Sequence, residues 1–272
     1  MITIDLEAIS FSYTNQKGIF SNLSVKFEAN EQVAIIGRNG SGKTTLAKLI
    51  IGMLKPNSGQ ITFNDRSIEK ESIANIAEMI GYVFQNPNIM LFTNSVEKEL
   101  LLSLQRFSLT KDEKYTKVNE MLNFFGIEKY RKIHPRTLSR GEKQKLALAT
   151  VLIQNPEAII LDEPFSGIDT AQKIIIQDYI KKMKKQGKLI LVITHDLDSV
   201  LEESNRIIAL NDGKIVFDGK KNDFFSEPTN LEKVGLVQSP MLSMLHNLRT
   251  NGLPSTILKR DQVIEYFSEK NQ

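Results

Sequence analysis

Residues 37–44 are Gly-Arg-Asn-Gly-Ser-Gly-Lys-Thr, which fits the pattern G-x-x-x-x-G-K-[ST]. The segment follows the apolar run 33–36 and precedes the helix-forming run 45–52. A strand, a glycine-rich turn and a helix in this order form a phosphate-binding loop, because glycines let backbone N–H groups point at phosphate oxygens beside a helix N-terminus. The alternative interpretation is an ordinary glycine-rich turn, which the flanking strand and helix disfavour.

Side chains in and next to this loop predict what it binds. The Lys43 ammonium adds positive charge towards the β- and γ-phosphates of a nucleotide, and the Thr44 hydroxyl can bind Mg²⁺. The nucleotide-binding residues predicted in this segment are Gly37, Asn39, Gly40, Ser41, Gly42, Lys43, Thr44 and Thr45.

Two adjacent carboxylates, Asp162 and Glu163, end another apolar run at 158–161. Ligands of open α/β sheets bind at the carboxyl ends of the strands. We therefore predict that Asp162 holds Mg²⁺, usually through water, and that Glu163 accepts a proton from an attacking water molecule. An Asp-Glu pair after a strand is by itself also typical of a solvated turn, but the phosphate-binding loop upstream favours the catalytic interpretation.

The order of apolar segments indicates an α/β fold. The run 158–161, the helical segment 170–185 and the run 189–194 have the strand-helix-strand order of a parallel sheet covered on both faces. Further strands are predicted at 2–6, where apolar and polar residues alternate as in an antiparallel strand, at 23–27, at 59–63, and in a hairpin formed by 207–210 and 215–217.

Helical periodicity dominates residues 68–155, with interruptions at 81–87 and 133–141. After Gly219 the character changes: apolar residues stand at rough helical spacing, residues 252–254 break the pattern, and a final helix is predicted at 260–269. A segment of about fifty residues cannot bury enough apolar surface to be stable alone. We therefore expect this tail to pack on the main domain or on a partner.

Composition excludes several classes of function. The chain of 272 residues has no cysteine, which excludes disulfides, thiolate metal sites and cysteine nucleophiles. Its histidines, His134, His195 and His246, stand too far apart to suggest a zinc pair. Lysine and arginine number 35 against 32 acidic residues, too small an excess to indicate nucleic-acid binding. No apolar run reaches the roughly 18 residues of a membrane span, and the first residues do not resemble a signal peptide, so we expect a soluble, cytoplasmic chain.

Residues 138–142, Leu-Ser-Arg-Gly-Glu, precede a helical segment. They resemble the signature of the ATPase domain of ABC transporters, usually Leu-Ser-Gly-Gly-Gln. The resemblance implies an α/β P-loop NTPase fold with a mostly parallel core sheet, an antiparallel β subdomain, an α-helical signature subdomain and a small C-terminal helical extension. It implies an ATPase domain at 1–219, with its helical subdomain at about 86–155, and an extension at 220–272 that serves as a dimerisation module.

Further residues match this family in chain order. Tyr13 resembles the aromatic residue that stacks on adenine, and Gln85 the glutamine that senses the γ-phosphate and contributes to the Mg²⁺ site. Asp169 lies in a segment similar to the loop that links two active sites, and His195 resembles the γ-phosphate histidine. The implied ligands are ATP and Mg²⁺, and the implied catalytic residues are Glu163, His195 and Gln85.

Each of these positions also has a purely structural interpretation. Tyr13 alone is typical of an ordinary strand aromatic, Gln85 of a turn residue, and His195 of a structural histidine. Asp169 and Ser139 are both suited to cap the helices that follow them. The cap and the function are compatible, since a capped helix N-terminus still offers N–H groups to a phosphate.

The signature departs from the family pattern at two positions. Arg140 replaces a glycine and Glu142 replaces a glutamine, whereas Ser139 and Gly141 are retained. In the family, the signature of one chain completes the ATP site of a partner chain. The departures therefore concern the partner's ATP site, while this chain's own loop, Glu163 and His195 match the family.

Residues 81–88, with Leu-Phe at 91–92 and Ser-Val-Glu at 95–97, are similar to the glutamine-containing loop of energy-coupling-factor transporters and their cobalt and nickel relatives. The tail resembles their C-terminal extension. These resemblances imply a peripheral ATPase on the cytoplasmic face of the cell membrane that energises uptake of a vitamin, another micronutrient or a metal ion. The implied partners are a second ATPase subunit, identical or paralogous, a transmembrane coupling subunit and a substrate-binding membrane subunit, with no nucleic acid.

Three alternatives remain open at this point. The chain could belong to another class of ABC importer, to the non-transport ABC ATPases of repair or translation, or to pseudo-enzymes that bind nucleotide as structural partners. Repair and translation factors commonly have two cassettes, long coiled-coil inserts or a basic arm, which these residues do not contain. Glu163 and His195 disfavour a pseudo-enzyme.

Overall fold

The computed structural model of the protein describes residues 2–14, 18–227, 229–250, 252–254, 257–258 and 260–270. The strands are β1 (Thr3–Phe11), β2 (Phe20–Glu28), β3 (Gln32–Ile36), β4 (Ser58–Phe63), β5 (Arg66–Ser67), β6 (Ile80–Val83), β7 (Ala158–Asp162), β8 (Leu189–Ile193), β9 (Arg206–Asn211) and β10 (Lys214–Lys220). The α-helices are α1 (Lys43–Ile50), α2 (Ile73–Met79), α3 (Val96–Ser103), α4 (Lys111–Phe124), α5 (Arg140–Leu152), α6 (Thr170–Lys185), α7 (Leu197–Glu203), α8 (Lys221–Ser226), α9 (Thr229–Lys233), α10 (Pro240–Thr250) and α11 (Arg260–Lys270).

The central sheet contains six strands in the order β10–β9–β3–β8–β7–β6. All neighbouring pairs are parallel except β9 and β10 at one edge. Strands β3, β7 and β8 are buried along their whole length, as expected for continuous apolar strands covered on both faces. The predicted α/β fold with a mostly parallel core sheet is confirmed.

Strand β6 lies where the sequence pattern indicated only an interruption between helices. Its residues are all buried, and Tyr82 pairs in register with Ile160 of β7. Four apolar residues are too few for periodicity to distinguish a strand from a buried helix, and the neighbouring strand decides the outcome.

A second sheet, antiparallel, has the order β2–β1–β4–β5. Strand β1 continues beyond the alternating residues 2–6 to Phe11. Ala8 has a φ of 54°, and the pairing of β1 with β2 shifts between Leu6 and Ile9. This bulge returns Ile9 and Phe11 to the buried face, so the strand continues although its alternation in the sequence is broken.

The hairpin of β9 and β10 closes through a two-residue turn. Asn211 pairs with Lys214, and the two residues between them, Asp212 and Gly213, have φ values of 46° and 73°. Two central residues with positive φ match the twist of antiparallel strands, so the hairpin predicted from Asn-Asp-Gly is confirmed.

Helices α3, α4 and α5 form one side of the molecule. Val96, Leu122 and Leu146, one from each helix, are fully buried in a cluster that also contains Ile159 and Leu161 of β7. This packing ties the helices to one face of the central sheet and brings the start of α5 to the same side as the loop that follows β7.

The tail packs on the central sheet as well. Leu231, Val234 and Leu245 are buried in one cluster with Ile36 of β3 and Ile207 of β9. Of the two locations that the sequence leaves open for this tail, the structure describes packing on the main domain. Some apolar side chains of the tail stay exposed, namely Val237, Met244 and Ile264.

Among the described residues, no helix combines the length and the apolarity that crossing a membrane requires.

Candidate functional site

The glycine-rich loop connects the carboxyl end of β3 to the N-terminus of α1. Gly37 has a φ of 148°, and a Cβ atom there would lie 2.2 Å from the carbonyl oxygen of Leu210. Gly42 has a φ of 106°, and its Cβ would lie 2.9 Å from the ring of Phe20. Both positions therefore require glycine, for backbone conformation and for space. The loop conformation is set by its packing against β9 and β2.

Lys43 begins α1 with its side chain folded over the loop. Its ammonium donates hydrogen bonds to the carbonyl oxygens of Gly37, at 2.7 Å, and Arg38, at 2.9 Å. Burial lowers the pKa of this ammonium, and the carboxylates of Glu163 and Asp162 oppose that effect. The Oγ of Ser41 is buried in the same loop without a hydrogen-bond partner among the described residues. A buried, unpaired hydroxyl beside a cation suits an anionic ligand that accepts from both.

An open cavity of about 230 Å³ lies in front of this loop. Nine of the predicted site residues line it, together with Ile19 and Ile193: Asn39, Gly40, Gly42, Lys43, Thr44, Thr45, Gln85, Asp162 and Glu163. They come from the loop after β3, the loop after β6 and the end of β7, because parallel strands present their carboxyl ends at one edge of the sheet.

Asp162 lies at the back of the cavity and is 3% exposed. One of its oxygens, Oδ2, accepts hydrogen bonds from the Thr44 hydroxyl at 3.2 Å and from the Tyr82 hydroxyl at 2.9 Å. Burial raises the pKa of Asp162, while hydrogen bonds from Tyr82 and Thr44 and the charge of Lys43 act in the opposite direction. Because both hydroxyls bond to Oδ2, the other carboxylate oxygen is left for a ligand.

Sequence reasoning missed Tyr82. Burial raises the pKa of its phenol, and the neighbouring Asp162 raises it further, so the hydroxyl keeps its proton and donates. This contact depends on the pairing of β6 with β7. The sequence pattern did not predict β6, so it could not predict the contact either.

The donors around Asp162 fit Mg²⁺. Thr44, Gln85 and Asp162 offer only oxygen as metal-binding atoms, which is the donor type that Mg²⁺ prefers. No group of three or more histidine, cysteine or acidic side chains within the described residues could by itself hold a metal ion. A single carboxylate with a hydroxyl suits an ion that keeps its waters and binds substrate phosphates.

Glu163 follows Asp162 in a strained conformation. Its φ is 50°, and its N–H donates to the carbonyl oxygen of Ile193 at 2.8 Å. Its carboxylate contacts Nδ1 of His195 at 2.6 Å and accepts from the hydroxyl of Thr194 at 3.1 Å. Positive φ in a residue other than glycine, asparagine or aspartate is uncommon and marks positions that the surrounding structure holds in place. The loop after β8 thus fixes this carboxylate at the wall of the cavity.

His195 therefore joins the predicted site through Glu163, although it does not line the cavity. Its side chain is 67% exposed. Tyr13 also lies beside the cavity: its hydroxyl is 3.3 Å from Oγ1 of Thr45, and its ring packs edge-on against Phe11 at 5.0 Å. Tyr13 thus has the strand-aromatic packing that the sequence left open as an alternative.

The signature residues lie at the start of α5, outside the cavity. Ser139 caps the helix: its Oγ accepts from the N–H of Glu142 at 3.3 Å, and the Glu142 carboxylate accepts from the N–H of Ser139 at 2.8 Å. Glu142 thus completes a capping box, for which glutamate and glutamine both serve. Arg140 lies in the first turn of the helix, so this position needs no glycine conformation.

The signature approaches both the loop after β7 and helix α6. The Arg140 guanidinium donates to Oγ of Ser166 at 3.2 Å, and a Cβ at Gly141 would lie 1.7 Å from the side-chain oxygen of Gln172. Asp169 caps α6 by accepting from the N–H of Gln172 at 2.8 Å. The capping roles expected of Ser139 and Asp169 are both present.

A glycine-rich loop at a helix N-terminus, facing an aspartate and a glutamate at the end of a parallel strand of the same sheet, with β8 between the two strands, defines a P-loop nucleotide-hydrolase site. Comparisons with known proteins narrow this class. The family model for ABC transporters matches residues 20–166. The chain belongs to the ABC transporter ATP-binding family and contains its ATPase domain.

Several relatives extend the likeness over nine-tenths or more of the chain. The energy-coupling factor transporter ATP-binding protein EcfA1 of Leuconostoc mesenteroides is 32% identical over 272 residues, which cover 99% of this chain and 98% of the relative. A provisionally named ABC transporter ATP-binding protein of Methanosarcina mazei is 33% identical over 92% of this chain. The chain spans only 42% of that relative's length and 40% of its Methanosarcina acetivorans counterpart.

Solved structures agree with this family. The cbiO1 protein of Clostridium perfringens, part of the ABC transporter complex cbiONQ, superimposes with a TM-score of 0.75 at 30% identity, covering 89% of this chain and 98% of that one. An ATP-binding cassette solved as a dimer in a post-hydrolysis state with ADP and phosphate superimposes with a TM-score of 0.72 at 25% identity, covering 80% and 98%.

Proposed function

We propose that this chain is the ATP-hydrolysing subunit of an energy-coupling-factor type ABC transporter, which energises uptake of a vitamin, another micronutrient or a metal ion. The proposed ATP hydrolysis rests on one observation, the cavity that is lined by Lys43, Thr44, Asp162 and Glu163. The similarity to EcfA1 and to cbiO1 supports the transporter class.

ATP binds with its phosphates on the glycine-rich loop. Backbone N–H groups at the start of α1, the Ser41 hydroxyl and the Lys43 ammonium donate to the phosphate oxygens. Thr44, Asp162 and Gln85 hold Mg²⁺, which when bound neutralises charge on the β- and γ-phosphates. Tyr13, whose hydroxyl contacts Thr45 of α1, stacks on the adenine.

Glu163 acts as the general base. A water molecule attacks the γ-phosphorus, the bond from that phosphorus to the leaving ADP oxygen breaks, and the water proton passes to the Glu163 carboxylate. The contact between His195 Nδ1 and Glu163, at 2.6 Å, supports a role for His195 in holding this base beside the γ-phosphate.

A second ATPase subunit, identical or paralogous, completes two ATP sites in our proposal. The residues Ser139, Arg140, Gly141 and Glu142 of this chain then face the partner's nucleotide, and Asp169 lies at the connection between the two sites. The dimeric cassette solved with ADP and phosphate supports this arrangement. The exposed apolar side chains Val237, Met244 and Ile264 of residues 220–272 support a role of this extension in pairing.

The remaining partners are a transmembrane coupling subunit and a substrate-binding membrane subunit, with this chain peripheral on the cytoplasmic face of the membrane. The membership of cbiO1 in the complex cbiONQ supports such an assembly. ATP binding must favour the closed pair over the open one for closure to move the coupling subunit.

The test is affinity isolation of the full chain from gently solubilised membranes, followed by identification of the bound subunits and by an ATPase assay of the complex. We expect a second ATPase and two kinds of membrane subunit, with hydrolysis stimulated by their presence. If the chain is isolated together with a permease typical of another importer class, the assignment to the energy-coupling-factor type is wrong. Isolation without any membrane protein would contradict transport altogether.

A further inference from the structure

Thr194, the residue after β8, lies between the proposed catalytic base and the loop that leads to α7. It is 1% exposed. Its hydroxyl makes two hydrogen bonds: one with the Glu163 carboxylate at 3.1 Å and one with the backbone N–H of Asp196 at 3.0 Å.

The second bond decides the direction of the first. A hydroxyl has one proton to donate and lone pairs that accept. The Asp196 N–H can only donate, so it occupies a lone pair of the Thr194 oxygen. The threonine proton is then directed at the Glu163 carboxylate, which accepts when ionised.

Asp196 itself is held firmly. Its carboxylate caps α7 by accepting from the N–H of Ser199 at 3.1 Å. It also accepts from the Lys173 ammonium of α6 at 2.9 Å. The backbone N–H that fixes the Thr194 hydroxyl therefore belongs to a residue anchored to two helices.

The orientation of the Glu163 carboxylate depends on the side chains that bond to it. Among the described residues, two side chains bond to this carboxylate: His195, whose side chain is 67% exposed, and Thr194, which is buried. An exposed side chain has rotamer freedom that a buried one lacks. The buried Thr194 hydroxyl is therefore the more restricted of these two contacts with Glu163.

We propose that Thr194 is a positioning residue for ATP hydrolysis, whose hydroxyl holds the Glu163 carboxylate in the orientation that accepts the water proton. This inference rests on the proposed role of Glu163 as the base. It predicts an effect on the chemical step and none on ATP affinity, because Thr194 does not line the nucleotide cavity.

Thr194→Val removes the hydroxyl and keeps the shape of the side chain. In the complex isolated from membranes, we expect kcat for ATP to fall about tenfold, since a displaced base loses part of a contribution of 10²–10⁴, with KM changed less than about twofold. Thr194→Ser keeps the hydroxyl and should restore more than about half of the rate. Thr116→Val is the matched control, since the Thr116 hydroxyl donates to a helix carbonyl on the exposed side of α4.

The decisive measurement combines Thr194→Val with Glu163→Gln. If Thr194 acts through Glu163, the double variant hydrolyses ATP as slowly as Glu163→Gln alone. A further loss in the double variant, or full activity of Thr194→Val, would overturn the inference. Full activity of Glu163→Gln would instead overturn the proposed base. Thermal unfolding of each variant checks the fold, and Thr194→Ala takes the place of the valine variant if that one is unfolded.

Discussion

Two helix N-termini in this molecule, those of α1 and α5, both belong to segments expected at ATP sites, yet they are built in opposite ways. Within the described residues, no side chain caps α1, whose N-cap residue is Gly42 with positive φ and whose first turn has no acidic residue. Helix α5 has a complete capping box, with the Glu142 carboxylate bonded to the backbone of Ser139.

The difference concerns which N–H groups remain for a ligand. The first turn of a helix leaves N–H groups without partners inside the helix, and those of α1 stay available to phosphate. At α5, Ser139 and Glu142 already satisfy some of them and add a negative charge. The loop before α1 therefore has the backbone groups that bind an anion, whereas the signature residues mainly stabilise the start of α5. Variants at both helix starts and at the carboxylates test this contrast, and we give them in decreasing order of the loss that we expect.

Replacing the base should have the largest effect. Glu163→Gln removes the proton acceptor and keeps the size of the side chain, so turnover by the paired protein should fall roughly 10²- to 10⁴-fold. Binding of Mg-ATP should be retained, as measured by calorimetry. Glu120→Gln, the same substitution at an exposed glutamate of α4 outside the proposed site, should retain far more activity. Normal hydrolysis by Glu163→Gln would remove Glu163 from the mechanism.

Replacing the loop cation should mainly weaken binding. Lys43→Ala removes charge-assisted hydrogen bonds worth about 1.5–3 kcal/mol, so ATP affinity should fall about 10- to 100-fold. Calorimetry with ATP measures this directly, and Lys55→Ala, at an exposed lysine after α1, is the control. Unchanged affinity would argue against the anion-binding function of the α1 N-terminus.

Replacing Tyr82 should have a moderate, pH-dependent effect. Tyr82→Phe removes a hydrogen bond that lowers the pKa of Asp162, so that pKa rises further. Asp162 must be ionised to hold Mg²⁺, and the acidic limb of the plot of kcat/KM against pH should therefore move to higher pH. At neutral pH the rate should fall about fivefold, as expected for one hydrogen bond of about 1 kcal/mol. Tyr115→Phe, on α4, should leave the profile unmoved, and an unmoved profile in Tyr82→Phe would disprove this role.

Replacing the signature cap should have the smallest effect on a single chain. Ser139→Ala should lower the free energy of unfolding by about 1 kcal/mol, the usual contribution of an N-cap. Thr110→Ala is matched to it, because Thr110 and Glu113 form the same capping box on α4, and it should cost a similar amount in thermal or urea unfolding.

The ATPase rate of the assembled pair then distinguishes the role of the α5 cap from that of the α4 cap. If the signature faces the partner's nucleotide, Ser139→Ala lowers the ATPase rate of the complex while Thr110→Ala does not. If Ser139→Ala and Thr110→Ala change the ATPase rate equally, the start of α5 has only a structural role.

Local patterns were sufficient for part of the site. The glycine-rich loop, the Asp162–Glu163 pair and the capping residues Ser139 and Asp169 were all predicted, because each depends on neighbours within a few residues. Tyr82 and Thr194 were missed. Their contacts join residues 80 and 31 positions apart in the chain, and they exist only because β6, β7 and β8 lie side by side.

The positions of the phosphate-binding, carboxylate and capping residues follow from the order of amino acids, since glycine conformation, helix capping and apolar runs are local physical preferences. Which of these residues meet depends on how the strands pair in the folded sheet. The parallel sheet brings the ends of β3, β6, β7 and β8 to one edge and places Lys43, Asp162 and Glu163 around one cavity. It also holds Glu163 at a φ of 50° against Thr194 and His195, because strain at one residue persists only when many packed neighbours oppose its release.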